Sequence, residues 1–185
     1  MAQDRRVIRT KTALTKALFE LLGEKEFSKI SVTELAQRAD VDRKTFYLHY
    51  HGVEEILEEF YEEAFDRLQE EMKRENVFDP PMDISRFLRA VNSVVAERMP
   101  LFRRLTKGSG YTYFMERIRA ILKTAVEDAL RFRGDTDELE IQLFSEIYAA
   151  GVMRAYLRWL RGDLELDAEE FAQRVGRLVN QGLGL

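Results

Sequence analysis

The sequence predicts an all-α protein: an N-terminal three-helix unit containing a helix-turn-helix, followed by a C-terminal helical bundle, about nine helices in all. Two observations support this prediction. Apolar residues recur at spacings of three and four rather than two, which is the period of an amphipathic helix. Only three prolines interrupt the 185 residues, and a chain that is 45% hydrophobic can bury a sizeable core.

Local signals place the first three helices. Gly23 is a suitable stop for the first helix. Ser31 and Glu34 have the spacing of a capping box, in which each side chain bonds to the other's backbone amide, so the second helix begins just after Ser31. Asp42 is a good N-cap for the third, and Asp40 can adopt the left-handed turn conformation between the two. The predicted helices cover residues 6–22, 32–39 and 43–50.

The rest of the chain predicts six more helices. The Pro80-Pro81 pair separates the first of these from the next, and Asp167 caps the last. The helix before that is apolar nearly all round from Leu143 to Leu160, so it needs cover on more than one side. The predicted helices cover residues 53–75, 84–98, 100–106, 113–133, 138–161 and 168–182. We therefore expect a domain at 1–52 and another at 53–185.

Charge is segregated along the chain. The formal net charge is -4, but the residues before Gly52 hold ten Lys and Arg against seven Asp and Glu, a charge of +3, and the remainder is -7. A basic N-terminal part suits local contact with phosphates. Cysteine is absent, which excludes disulfides and cysteine-based metal or redox sites. No apolar run is long enough to span a bilayer, so we expect a cytoplasmic protein without membrane contact.

A short basic helix after a tight turn is typical of a helix-turn-helix, whose second helix enters the major groove. Arg43, Lys44 and Thr45 open that helix, where base edges and phosphates are met. Tyr47 and His49 add donors that can reach phosphates, and Thr33 supplies a hydroxyl at the start of the preceding helix. The predicted DNA contacts are Thr33, Arg43, Lys44, Thr45, Tyr47 and His49.

Four stretches resemble the TetR family of transcriptional regulators: residues 13–22, 30–36, 39–41 and the run Thr-Phe-Tyr-Leu-His-Tyr at 45–50. The resemblance is continuous from residue 8 to about 60. It implies a homodimer, a variable C-terminal half that binds an inducer, and release from operator DNA when the inducer is bound. It also implies that Arg43 and Lys44 contact DNA bases, and that the other four predicted residues mainly contact the DNA backbone.

Two residues depart from the family's pattern. Asp40 stands where the turn usually has Gly, and Val53 stands where a Lys commonly opens the fourth helix and contacts phosphate. The second departure removes one expected cation, so we expect either a lower DNA affinity or compensation by Arg5, Arg6 or Arg9.

Other functional classes find little support. His49 and His51 are the only histidines and have no carboxylate partners at metal-ligand spacing, so we expect neither a metal nor a cofactor. The glutamate pairs that begin at Glu54 could suggest acid/base catalysis, but such pairs usually form a solvated helix face. No nucleophile or phosphate-binding motif occurs, and we expect no enzyme activity.

The second half leaves three alternatives open. Its aromatic residues could line an apolar ligand pocket, with Tyr111, Phe114, Phe144 and Tyr148 as candidates, or could simply pack. The last two helices could pair with those of a second copy as a four-helix interface, or could be covered within one chain. The main hypothesis is a dimeric repressor released from its operator by a small molecule, and the alternative is a regulator or activator responding to a protein partner.

Overall fold

The computed structural model describes residues 2–106 and 112–183. Within them the chain is all-helical, with nine α-helices and a short 3-10 helix at Phe27–Lys29, which confirms the predicted fold class. The helices are α1 Ala2–Leu22, α2 Val32–Arg38, α3 Arg43–Tyr47, α4 Val53–Arg74, α5 Ile84–Ala96, α6 Met99–Leu105, α7 Thr112–Arg133, α8 Glu138–Arg161 and α9 Ala168–Leu183.

These helices form two compact units. The first contains residues 2–65 and 100–106, and the second contains residues 66–99 and 112–183. Packing thus groups the first half of α4, together with α6, with the three N-terminal helices. The predicted division at residue 52 concerns which residues contact DNA or a ligand, so it stays a prediction.

Capping side chains begin several of the helices. Asp137 Oδ1 accepts hydrogen bonds from the amides of Leu139 and Glu140 at the start of α8, at 3.0 and 3.1 Å. Asp167 Oδ1 accepts from the amide of Glu170 at the start of α9, at 2.8 Å. Because each bond satisfies an amide that has no partner inside the helix, these aspartates fix the first residue of their helices.

The first unit has an aromatic core under its helices. Phe60 of α4 lies edge-on to Phe19 of α1, with ring centroids 5.0 Å apart, and contacts Phe102 of α6 at 5.8 Å. Leu14 and Leu18 of α1 are fully buried in the same unit. The helices that carry the predicted DNA contacts therefore belong to a unit with a well-packed core.

In the second unit α5 packs against α9, and α7 packs against α8. Gly176 lies where the two helices meet, since a Cβ at this position would overlap Ser85 Oγ and lie 2.9 Å from the Ser85 backbone nitrogen. Trp159 of α8 is 4% exposed, stacks on Phe171 of α9 at 5.0 Å and donates to the carbonyl oxygen of Leu166 at 2.8 Å. These contacts hold the last two helices on the rest of the unit.

Candidate DNA-binding site

The start of α2 has half of the predicted capping box. Ser31 Oγ accepts from the amide of Glu34 at 3.2 Å, as expected. The Glu34 carboxylate instead accepts from Lys25 Nζ at 2.6 Å. A cation from outside the helix competes with the neutral backbone amide for this carboxylate, and the charged hydrogen bond is the stronger one. Thr33, one of the predicted DNA contacts, lies exposed in this first turn.

The turn between α2 and α3 has left-handed geometry at Asp40, with φ +54°. The amide of Asp40 donates to the Gln37 carbonyl at 3.2 Å, and the amide of Val41 donates to the Ala36 carbonyl at 2.9 Å. These two bonds form a Schellman motif, which closes a helix and redirects the chain. Asp40 therefore occupies the position that favours glycine, as the sequence predicts.

Asp42 caps α3, because its Oδ1 accepts from the amide of Lys44 at 2.7 Å. The helix ends at Tyr47, three residues before the predicted end. The amides of His49 and Tyr50 both donate to the Phe46 carbonyl, at 2.9 and 3.0 Å, so this one oxygen closes the last turn and the helix does not continue. The helix that presents the predicted contacts is thus short and closed at both ends.

The inner side of α3, together with the turn that follows it, is aromatic. Phe46 has no exposed surface and Tyr50 is 3% exposed. The Tyr50 hydroxyl donates to Glu59 Oε2 of α4 at 2.7 Å, and Lys11 Nζ of α1 donates to both oxygens of the same carboxylate, at 2.8 and 2.9 Å. Lys11 also lies 5.1 Å from the centre of the Tyr50 ring. This cluster of Lys11, Tyr50 and Glu59 ties the end of α3 to α1 and α4.

In the Lys11–Tyr50–Glu59 cluster, two hydrogen-bond donors stabilise one charged carboxylate. Burial alone would raise the pKa of Glu59, but the hydrogen bonds from Lys11 and Tyr50 outweigh it and hold that pKa below its ordinary value. Burial, with the carboxylate beside it, raises the pKa of Tyr50. At neutral pH the carboxylate is therefore charged and the phenol keeps the proton that it donates.

The outer side of α3 carries the candidate site. Arg43, Lys44 and Tyr47 are exposed, while Thr45 and His49 are half-buried. In the described part of the chain neither Arg43 nor Lys44 forms an ion pair, whereas Lys11, Lys25 and Arg38 of the same unit do. Two unmatched cations thus stand together on a rigid, exposed helix.

Sequence reasoning missed Leu48, which is 73% exposed. It follows Tyr47 directly and lies four residues after Lys44, on the same face of the helix. A search for polar and basic side chains passes over it, although apolar side chains contact the methyl group of thymine. The available signal was a large apolar residue at a position that the helical period places outside.

The start of α4 lacks the expected cation. Val53 is 4% exposed and belongs to the core, and the first turn carries Glu54 and Glu55. Glu55 accepts from the backbone amide and from Nδ1 of His51, both at 2.9 Å. A phosphate at this helix end would meet carboxylates rather than a lysine.

The ligand candidates lie in different surroundings. Tyr111 falls outside the described residues. Phe114 is 2% exposed within the second unit, and Phe144 and Tyr148 stack with ring centroids 4.2 Å apart. Phe144 also lines a cavity of about 350 Å³ at the α7–α8 turn, whose other walls are mostly polar. Whether any of them contacts a ligand stays a prediction.

Large apolar side chains are exposed on the last two helices. Leu139, Leu143 and Ile147 of α8 are 65%, 56% and 68% exposed, and Leu178 of α9 is 70% exposed. Residues four apart share one side of a helix, so the three side chains of α8 form a stripe. None of the residues that the structure describes covers this apolar stripe.

Among the residues that the structure describes, no three His, Asp or Glu side chains are grouped so that they could hold a metal ion. Along the helices described, none is long and apolar enough to cross a membrane.

Two matches to known protein families identify the family of this chain. Residues 14–60 match the bacterial regulatory proteins of the tetR family, and residues 82–181, more than half of the chain, match a transcriptional regulator C-terminal region. The chain belongs to the TetR family. TetR-family proteins are transcription regulators that bind operator DNA, and this member is therefore a DNA-binding regulator and not an enzyme.

One curated protein is similar to a short stretch of this TetR-family chain. A stretch of 56 residues is 41% identical to YxbF of Bacillus subtilis (strain 168), an uncharacterised HTH-type transcriptional regulator, and covers 30% of this chain. The match spans 15% of the length of that curated relative.

Solved structures share the fold over nearly the whole chain. DhaS, the activator of a dihydroxyacetone kinase operon, is similar with a TM-score of 0.58 and 16% identity, over 95% of this chain and 96% of that chain. FadR of Thermus thermophilus, a TetR-family repressor solved in complex with lauroyl-CoA, is similar with a TM-score of 0.58 and 19% identity, over 93% and 94%. At these identities the likeness shows the fold alone.

Proposed function

We propose that the chain is a homodimeric, cytoplasmic repressor that binds an operator with α3 of each copy and leaves the DNA when a small molecule binds. Residues 1–52 would contact DNA, and residues 53–185 would carry the dimer interface and the ligand site. The observation that carries the proposal is the pair of unmatched, exposed cations Arg43 and Lys44 on a helix fixed by the Lys11–Tyr50–Glu59 cluster.

In this proposal the six predicted contact residues have two roles. Arg43 and Lys44, at the start of the helix, contact base edges in the major groove. The hydroxyls of Thr33, Thr45 and Tyr47 and the imidazole of His49 contact the phosphate backbone, which fixes the position of α3. These donors are exposed or half-buried and are held by an aromatic core, so binding requires little rearrangement of the backbone.

A dimer is supported by the apolar stripe of α8. A two-fold interface uses the same surface on both copies. Leu139, Leu143 and Ile147 form the exposed apolar stripe of α8, Leu178 of α9 is exposed as well, and a second copy would cover them. Two α-helices from each copy make a four-helix interface. The dimer would present two α3 helices about 34 to 36 Å apart, one turn of DNA, and so contact two half-sites.

Two considerations support the proposal that a small molecule releases the protein from DNA: a general thermodynamic requirement and a structurally similar repressor. A ligand shifts a conformational equilibrium only if it binds one state more tightly than the other. The Thermus thermophilus FadR repressor, which has this fold, was solved with lauroyl-CoA.

An activator, answering to a protein partner, is the second candidate, because DhaS has the same fold and is an operon activator. A reporter gene behind the selected operator separates the two candidates. Removing the regulator raises expression if it represses and lowers expression if it activates.

The decisive experiment selects bound fragments from the source genome and then titrates the selected operator with two double variants. Arg43→Ala with Lys44→Ala should weaken specific binding by about 1 to 3 kcal/mol for each base that the shortened side chains no longer reach. Lys16→Ala with Lys73→Ala removes the same charge from two exposed positions outside α3 and should leave specificity unchanged. Equal losses of affinity in both variants would mean that another surface binds the operator.

A further inference from the structure

The second unit contains an apolar cavity of about 510 Å³ between the α4–α5 connection and the C-terminal half of α7. Phe78 and Met82 line it from the connection, and Ala125, Ala129 and Phe132 line it from α7. We propose that this cavity binds a neutral, largely apolar small molecule. That claim stands by itself, whereas naming the molecule as the effector rests on the proposed function.

The space exists because α7 has small side chains there. Ala125 and Ala129 are four residues apart and lie on one side of the helix, and both line the cavity. A leucine at either position would project into the space that a ligand needs. The cavity therefore depends on two identifiable side chains.

The aromatic walls are exposed. Phe78 and Phe132 are 59% and 73% exposed, although burying an aromatic ring is favourable. Most of the other large exposed apolar residues described, Ile8 of α1 apart, lie where the proposed function provides a partner: Tyr47 and Leu48 face DNA, and the apolar stripe of α8 faces a second copy. A bound apolar molecule would give the two phenylalanines the same kind of cover.

The charges around the cavity indicate a neutral ligand. Asp128 and Arg133 are the charged residues that line it. Asp128 Oδ1 pairs with Arg131 Nη1 at 3.4 Å, and Arg133 Nε donates to Asp135 Oδ2 at 3.1 Å. Both charges already have partners in the protein. A charged ligand would therefore pay the cost of desolvation without gaining a free opposite charge in the cavity.

The size indicates a small molecule rather than a protein. Ligand pockets usually measure about 300 to 1,000 Å³, and this cavity lies within that range. A stable protein interface uses roughly 20 to 30 residues on each side, and ten residues line this cavity. A second copy or a peptide would need a wider surface.

The test titrates the full chain with N-phenyl-1-naphthylamine, a neutral apolar dye whose fluorescence rises in apolar surroundings. We expect saturable binding of one dye per chain. Ala129→Leu should weaken it at least about tenfold. Ala120→Leu, an exposed position on the same helix that does not line the cavity, should bind the dye like the unchanged chain.

A second variant guards against misfolding. Phe132 is 73% exposed, so Phe132→Ala should keep the helical content and still weaken dye binding several-fold. Dye affinity that is unchanged in both Ala129→Leu and Phe132→Ala would overturn the proposal. So would equally tight binding of an anionic naphthalene sulfonate at the cavity, since the site would then not prefer neutral molecules.

Operator titration in parallel separates this proposal from the proposed function. Dye binding that depends on Ala129 supports the site whether or not the dye releases DNA. Operator binding without any dye binding overturns the site and leaves the DNA-binding role intact.

Discussion

The outer faces of α3 and α8 both present large apolar side chains to solvent, but the charges beside them differ. On α3, Tyr47 and Leu48 lie beside Arg43 and Lys44, which have no ion-pair partner in the described part of the chain. On α8, the stripe lies beside Glu146, which pairs with Arg119 at 2.6 Å and with Lys123 at 3.5 Å.

This difference separates two kinds of partner. Unmatched cations next to apolar side chains suit a polyanion that also carries methyl groups, which is DNA. On α8, the charge of Glu146 beside the apolar stripe is already matched by Arg119 and Lys123, which suits contact with a second copy of the same apolar surface. The ion pairs of a face thus indicate its partner better than its apolar residues do.

The largest effect is expected from charging the apolar stripe. Leu143→Glu with Ile147→Glu places like charges opposite each other at a two-fold interface, and such contacts cost several kcal/mol, roughly a hundredfold or more in dimer affinity. Sedimentation at micromolar concentration should show a monomer, with operator affinity greatly reduced. Ala96→Glu, at an exposed position of α5, should remain a dimer. A double variant that still forms the dimer would place the interface elsewhere.

A smaller effect is expected from the Lys11–Tyr50–Glu59 cluster. Glu59→Gln should lower the free energy of unfolding by about 1 kcal/mol at pH 7, because the carboxylate is partly exposed and its bonds are partly screened. It should also weaken operator binding, since α3 loses a fixed anchor. Asp83→Asn is the matched control in the second unit: its carboxylate caps α5 through the amide of Ser85 at 2.8 Å and accepts from Asn180.

The acid dependence of Glu59 has a definite sign. Its pKa is lowered in the folded state, so its contribution is present above the unfolded pKa of about 4.3 and is lost as pH falls through the folded pKa. Denaturant titrations between neutral and acid pH should show a smaller loss of stability for Glu59→Gln than for the unchanged chain. If Glu59→Gln and Asp83→Asn reduce operator affinity equally, the cluster does not position α3.

The smallest effect is expected at two left-handed residues, one in each unit. Asp40 has φ +54° and Asn76, after α4, has φ +51°. Glycine adopts this conformation without the Cβ penalty, so Asp40→Gly and Asn76→Gly should each raise the free energy of unfolding by roughly 0.5 kcal/mol. Asp40→Gly should also tighten operator binding slightly, because it removes an acid near α3. The same gain from Asn76→Gly would argue against that electrostatic cause.

Local signals explain why most helix bounds were predictable. The helix predicted at 138–161 is found at Glu138–Arg161, because Asp137 caps its start and Gly162 closes its end with φ +87°. The end of α3 was missed because no residue between Leu48 and Tyr50 is a stop signal. Tyr50 instead turns inward to bond Glu59, nine residues further along, and such a contact is not visible in a local pattern.

The candidate site was predictable in part for the same reason. The basic start of α3 follows from residue types and a cap, so Arg43 and Lys44 could be named. That they have no ion-pair partner among the residues described, while Lys25 pairs with Glu34, depends on tertiary placement. The cavity could not be predicted, because it brings residues 77–82 together with residues 125–133.

The buried Trp159 gives the protein an internal optical probe. It is the only tryptophan in the chain, and its contacts with Phe171 and Leu166 all lie in the second unit. Its emission during denaturation should therefore follow the loosening of α8 and α9, while circular dichroism follows every helix. Coincidence of the two curves would show that both units unfold as one cooperative body, and separate midpoints would give each unit its own stability.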